Sequence, residues 1–388
     1  MRTILRVALW GACVLSFCGC VLGPDADPTP QWKPIGNRKA RVVLWGIVHN
    51  HAQGKFDALR KLTNDYEIVG WVDDSASKAM RMRNPNKKHY QGYPLLQPED
   101  VLTRVKPDLI VVEVSNSELV DVSMKIAEAG YPMHMDKPLG VSPEAYRRMS
   151  DLCEAHGIPL QIGYMFRANE AINCAVKLAH DGVIGEVFAI DADLNHSYGY
   201  PKYPTYAAAY PGGTAYLLTC HAIEWAMPIF DDAMPRRTWS VIKPAPGDPA
   251  WAPTHTLTCI EWEKCLATFR VCSRGTQPCR HIRIDGTDGT IELEPVEDFR
   301  KVKHTTGLDE RGLSRVNKLV VKLYLKKDKP PYHQGLNNIE FTAPDDRYAG
   351  QLAELARILR GEIPNPPGLY AHDIKVHKIS LDACYNVK

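Results

Sequence analysis

Five short apolar runs, at residues 41–45, 66–72, 108–114, 133–135 and 158–166, are separated by stretches with helical periodicity. Strands this apolar, alternating with helices, predict a parallel sheet covered on both faces, because such a sheet has no wet side to fill with polar residues. The first unit reads strand, tight turn, helix, with Gly46-Ile47-Val48-His49-Asn50-His51-Ala52 leading into a helical pattern through Leu62. In such a βα unit the helix N-terminal amides and dipole favour a diphosphate. Gly46 fills the first place of the glycine fingerprint, but Val48 and His51 hold the second and third. Side chains there hinder backbone approach to a diphosphate, so the imidazoles of His49 and His51 or the Asn50 amide must replace the lost contacts.

The second run ends in Asp73-Asp74. An acid in that position accepts both ribose hydroxyls of an adenosine and repels a further phosphate, which favours NAD over NADP. Ser115-Asn116 follows the third run, and Asp136-Lys137-Pro138 the fourth. A residue before proline is pushed toward extended conformations, so Lys137 leaves the end of a strand. A helix then starts with Ser142 as cap and Pro143 at its first position, and stops at Gly157. Gly46, Asp73, Ser115, Asn116, Asp136 and Lys137 therefore share the carboxyl rim of one sheet, where open α/β folds bind ligands.

Lys plus Arg is 47 and Asp plus Glu 45 in 388 residues, which excludes a strong field for nucleic acid or anionic membrane. The length predicts two domains. Arg2 and Arg6 flank an apolar run at residues 4–17, and Phe17-Cys18-Gly19-Cys20 resembles a lipoprotein cleavage box, so residues 1–20 read as an export leader and 21–40 as a linker. The expected location is outside the cytoplasm, either membrane-anchored, with a lipid at Cys20 the only membrane contact, or periplasmic. No cysteine pair has the spacing of a metal site, and buried free thiols are expected.

Gly46 with Asp73, Ser115-Asn116, Asp136-Lys137-Pro138, Gly163-Tyr164-Met165-Phe166-Arg167 and Gly182-Val183-Ile184-Gly185-Glu186-Val187 together resemble the Gfo/Idh/MocA oxidoreductase family. The resemblance implies an NAD-binding Rossmann domain at 41–160, with a doubly wound parallel sheet, and a second α/β domain at 161–388. The second domain is expected to carry a large, mostly antiparallel sheet that binds substrate and joins protomers into a homo-oligomer. Period-two patterns at 188–194, 254–262, 264–273 and 283–293 agree with such a sheet, while 301–329 reads as loop or solvated face.

The resemblance also assigns roles. Lys137 lies beside the nicotinamide, and His221 matches a histidine that is commonly an acid/base or substrate ligand. Glu224 matches the acid after it, and Leu217 stands where an aspartate is usual. Lys137 and His221 are then the acid/base candidates, with Tyr164, Arg167, Asn169, Tyr216 and Glu224 for substrate. The expected reaction is NAD-dependent oxidation of a CH–OH group in a sugar, cyclitol or related polyol. Two alternatives stand beside it: a glycosidase working by oxidation, elimination and addition with retained NAD, and a saccharide-binding lipoprotein without catalysis.

Overall fold

The apolar runs pair side by side in one parallel sheet of order β3-β2-β1-β4-β5-β6. The structure is a computed structural model describing residues 29–388 except 83, 197, 199–201, 276–279, 298–317 and 367; the leader lies outside the described residues. The strands are β1 (Ala40–Trp45), β2 (Tyr66–Val72), β3 (Leu95–Leu96), β4 (Leu109–Val112), β5 (Met133–Met135) and β6 (Leu160–Ile162). Val42, Val43 and Leu44 of β1 and all of β4 are buried, as a sheet covered on both faces requires. The helices α1 (Ala52–Lys61), α2 (Pro98–Asp100), α3 (Leu119–Glu128) and α4 (Pro143–Ala155) alternate with these strands. The Ser142 side chain caps α4 by accepting from the Ala145 amide, the role the sequence gives it.

The second domain holds an eight-stranded sheet of order β14-β13-β12-β11-β7-β10-β9-β8. Its strands are β7 (Val187–Leu194), β8 (Arg237–Lys243), β9 (His255–Glu261), β10 (Leu266–Cys272), β11 (Arg280–Gly286), β12 (Gly289–Leu293), β13 (Lys318–Leu325) and β14 (Gly335–Thr342). All pairings are antiparallel except β7 with β10. The α-helices of this domain among the described residues are α5 (Glu170–His180), α6 (Lys202–Ala208), α7 (Cys220–Ala226), α8 (Ala349–Arg360) and α9 (Leu369–Tyr385). The other sheet face leaves Phe188, Leu257, Leu266 and Tyr324 exposed among ion pairs such as Arg270–Asp193.

One sequence expectation, the reading of 301–329, needs correction, and two boundaries carry contacts to the rest of the fold. The linker read at 21–40 is pinned where it is described: Trp32 N donates to His156 O at 3.0 Å and Ile35 N to Leu359 O at 2.8 Å. Trp32 and Ile35 pack on the core, so burial of their side chains fixes a segment whose prolines suggested a tether. Within 301–329, residues Lys318–Leu325 form β13, with Leu319, Val321, Leu323 and Leu325 facing inward; the intervening lysines concealed a period-two pattern. The division at 160 is crossed by α8, which returns to cover the first domain. Gln161 Nε2 donates to Gln351 O at 3.0 Å, and Gln351 Nε2 answers to Ile162 O at 3.1 Å.

Gly185 shows how the second domain constrains a turn. Its φ is +80°, and an added Cβ would meet Thr287 Oγ1 and the Asp288 backbone. Gly185→Ala is expected to destabilise the protein by about 1–3 kcal/mol through left-handed strain and overlap, read as a lower urea midpoint at an unchanged m-value.

Candidate active site

Gly46 leaves β1 at φ +98°, where a Cβ would lie 2.7 Å from backbone atoms of Glu113 and Val114. The turn can therefore press against the end of β4, and His49 N donates to Glu113 O at 3.0 Å. That contact brings α1 over the strand ends. Lys55 lies four residues after His51 on the same helical face, so both side chains descend toward Glu113 and Asp136, which follow β4 and β5.

Lys55, Glu113 and Asp136 have no exposed surface. The Lys55 Nζ lies 2.6 Å from Glu113 Oε1 and 2.5 Å from Asp136 Oδ2. His49 Nδ1 meets Glu113 Oε2 at 3.1 Å, and His51 Nδ1 meets Asp136 Oδ2 at 3.0 Å. The Lys137 amide donates to Asp136 Oδ1 at 2.6 Å. Burial works to raise the Asp136 pKa, but His49, His51 and Lys55 hold it well below the usual carboxylate range. Burial pushes the Glu113 carboxyl up, helped by Asp136 and opposed by Lys55. His51 is driven down to about 3 by burial, against the pull of Asp136.

Lys137 reaches across to the second domain, where Nζ donates to Leu217 O at 2.9 Å. Burial lowers its pKa, and Lys55 and Arg280 repel its charge. His221 packs edge-on to Phe166 and Tyr164 at 5.5 and 6.2 Å between centroids, and its buried Nδ1 has no partner. Burial, Lys137 and Arg280 all lower its pKa.

The other predicted residues separate into two groups. On the rim, Asn116 Nδ2 donates to Tyr206 OH at 2.9 Å while its Oδ1 has no partner, and Ser115 Oγ lies 3.2 Å from Ser117 Oγ. Asp73 follows β2 as expected, accepting from Ser75 N at 2.9 Å and pairing with Lys87 at 2.5 Å. In the second domain the polar groups are largely spent on each other. Arg167 donates to Glu224 at 2.8 Å and Asp373 at 2.7 Å. Asn169 caps α5, accepting from the Ala171 and Ile172 amides at Oδ1 and donating one Nδ2 hydrogen to Val296 O. Tyr216 is buried and stacked on Tyr210, its hydroxyl without a partner.

Sequence reasoning missed Lys55, Glu113 and Asp74. The signal for Lys55 was present, since it falls on the buried stripe of α1 with Ala52 and Leu59, where a lysine needs a paired acid. His49, His51 and Asp136 bring ligand atoms within 4.8 Å of one another, close enough to suggest a metal. The Lys55 ammonium already lies against the Asp136 oxygen that an ion would require.

The turn itself decides how a dinucleotide fits. Val48 fills the second glycine place, Ile47 N donates to Asp74 Oδ1 at 2.7 Å, and His51 N donates to His49 Nδ1 at 3.3 Å. The donors that remain lie one step outward, on the first turn of α1. His51, the N-cap residue, makes no side-chain capping bond there, and Asn50 and Gln53 are half-buried, with the Gln53 Nε2 already 2.8 Å from His89 Nδ1. These groups, with Asp73, Asn116 and Lys137, fit a dinucleotide, with the diphosphate displaced from the glycine positions.

Burial pushes the Asp74 carboxyl from 3.8 up to about 6, although the Ile47 amide opposes this. A raised acid favours the neutral form in the fold. Its contribution is complete below the unfolded value and is lost as pH rises through about 6. Asp74→Asn, which keeps the acceptor for Ile47 N, should match wild type near pH 4 and exceed it by about 1–3 kcal/mol at pH 8 in paired urea titrations.

Residues 40–164 match the family model GFO_IDH_MocA, described as an oxidoreductase family with an NAD-binding Rossmann fold. Rhizopine catabolism protein MocA of Rhizobium meliloti is 24% identical over 124 residues, covering 32% of this chain and 38% of that protein. D-glucoside 3-dehydrogenase of Escherichia coli is 25% identical over 166 residues, covering 42% and 46%. The matches thus span less than half the length of these relatives. Among solved structures, GenD2 from gentamicin A biosynthesis in complex with NAD superposes with a TM-score of 0.67 at 14% identity, covering 91% of this chain and 96% of that one. UDP-N-acetylglucosamine 3-dehydrogenase GnnA from Acidithiobacillus ferrooxidans gives 0.66 at 15%, covering 90% and 98%. These likenesses extend the shared two-domain fold over most of the chain, and residues 40–164 match the Rossmann-fold model of the Gfo/Idh/MocA oxidoreductase family.

Proposed function

We propose that the protein is an NAD-dependent oxidoreductase acting on a CH–OH group of a sugar, cyclitol or related polyol. The observation that carries this reading is Lys137: a buried ammonium at the carboxyl rim of the parallel sheet, donating to Leu217 O of the second domain at 2.9 Å, with a charge that lowers the His221 pKa. A bound nicotinamide supplies the hydride acceptor. Lys137 can donate to the hydroxyl oxygen of a substrate, and the depression of its pKa by burial makes its proton easier to move near neutral pH. His221 lies on α7, with a buried Nδ1 that has no hydrogen-bond partner. A polyol supports the reading from the ligand side, since D-glucoside 3-dehydrogenase is among the relatives.

Asp73 supports NAD over NADP, because an acid after β2 repels a ribose phosphate. Export of the chain through its leader and assembly through the exposed sheet face complete the proposal. Titration of the purified full chain with NAD and NADP, followed by absorbance at 340 nm against a panel of sugars and cyclitols, tests it. Lys137→Ala is expected to lower kcat by about 100-fold or more while NAD affinity, read by fluorescence titration, stays within about twofold. Full turnover in that variant removes Lys137 from its role.

A further inference from the structure

A cavity of about 390 Å³ opens on the second domain between α5, α7 and α9. Neither Lys137 nor His221 lines it, so it is not the crevice at the rim of the parallel sheet. Three of its lining side chains keep a buried polar atom without a partner: Arg167 Nη1, Glu224 Oε2 and Trp225 Nε1. Glu224 and Trp225 are only 5% and 4% exposed. An unpaired buried atom costs about 1–3 kcal/mol, and here three such atoms gather around one opening. We propose that this cavity is a second binding site, for a neutral polyhydroxylated molecule of the size of a single sugar ring. The inference goes beyond the redox reading above and does not depend on it.

The three groups are held in place by contacts that leave these atoms unspent. Arg167 donates from Nε to Glu224 Oε1 at 2.8 Å and from Nη2 to Asp373 Oδ1 at 2.7 Å, which leaves Nη1. Trp225 packs its ring edge-on against Phe269 at 5.9 Å between centroids, which anchors the indole without using its N–H. His372 closes one side, its Nδ1 2.8 Å from Asp232 Oδ1 and its Nε2 3.9 Å from Glu224 Oε1. The site is therefore built before any ligand arrives, with two donors and one acceptor on fixed side chains.

Charge decides between ligand classes. Glu224, Asp232 and Asp373 set three carboxylates against the cations of Arg167 and Lys375, whose Nζ donates to Asp232 O. The start of α9 also borders the cavity and lacks a side-chain cap, but a helix terminus supplies only about half a positive charge. That does not offset the surplus acid, so an anion is disfavoured. A cation offers nothing for Arg167 Nη1 and Trp225 Nε1 to donate to. A hydroxyl both accepts and donates at one atom, and neighbouring hydroxyls on a ring can serve the two donors and Glu224 Oε2 together. Val176 and Leu369 supply apolar wall for the C–H surface of such a ring. The volume lies near the low end for ligand pockets, which suits one ring and not a dinucleotide.

Two measurements on the full chain, both made without NAD, test this. The first is a ligand-observed NMR titration with myo-inositol and methyl α-D-glucoside. Trp225→Phe keeps a ring against Phe269 and removes the N–H, and is expected to weaken binding about fivefold. Val176→Trp, which fills the cavity from α5, should abolish binding, and Lys137→Ala should leave it unchanged. Binding that disappears in Lys137→Ala but survives both cavity variants would place the polyol in the crevice and overturn the proposal. The second needs no variant: a wild-type crystal soaked with myo-inositol should show its oxygens within hydrogen-bond reach of Glu224 Oε2 and Trp225 Nε1. Ordered water alone in the cavity, or no binding of either probe at tens of millimolar, would also overturn it. Failure of the redox reading would appear separately, as absent NAD binding, and would leave these results unaffected.

Discussion

A lysine ammonium without solvent contact, clamped between two carboxylates, is the interaction on which the rest of the site depends. Each of these charges costs several kcal/mol to remove from water, and only close pairing offsets that cost. Lys55, Glu113 and Asp136 meet the requirement with contacts of 2.6 and 2.5 Å. Because the three come from α1 and from the ends of β4 and β5, the clamp fixes the helix against the sheet at the rim where ligands bind. Removing one partner would strand a buried charge, a loss of about 3–5 kcal/mol by analogy with other buried pairs.

The altered glycine turn follows from the clamp. Two carboxylates beside one lysine leave lone pairs unfilled; His51 Nδ1 lies against Asp136, and His49 Nδ1 lies 3.1 Å from Glu113. The residues that break the fingerprint therefore have specific partners beneath the turn, while the amides that a glycine loop would offer a diphosphate are turned to Asp74 and Glu113. The imidazoles point inward and leave the first turn of α1 to an anion. Lys137 belongs to the same unit, since its amide holds Asp136 while its ammonium crosses to the second domain.

The parallel sheet was legible in the sequence because each strand is short, apolar and bounded by a helix; β2 and β5 have the expected limits. Asp73, Asn116 and Lys137 were legible as rim residues for the same reason: their places follow from strand ends. Lys55 and Glu113 were not, because their pairing joins residues 58 positions apart and neither sits in a turn. The Arg167–Glu224–Asp373 group was hidden likewise, its third member arriving from α9. Strand β13 escaped because Lys318 and Lys322 interrupt its apolar residues, and β14 because Asn337 takes an inward position. The capping role of Asn169 was not read, because a capping side chain and a ligand side chain look alike in sequence.

The most direct measurement is a crystal structure of the full chain grown with NAD. The account predicts a diphosphate against the first turn of α1, beside Asn50 and Gln53, with Lys55 still bridging Glu113 and Asp136 and the nicotinamide near Lys137. A crevice left empty at saturating NAD, with Asp74 still holding the Ile47 amide, would contradict it.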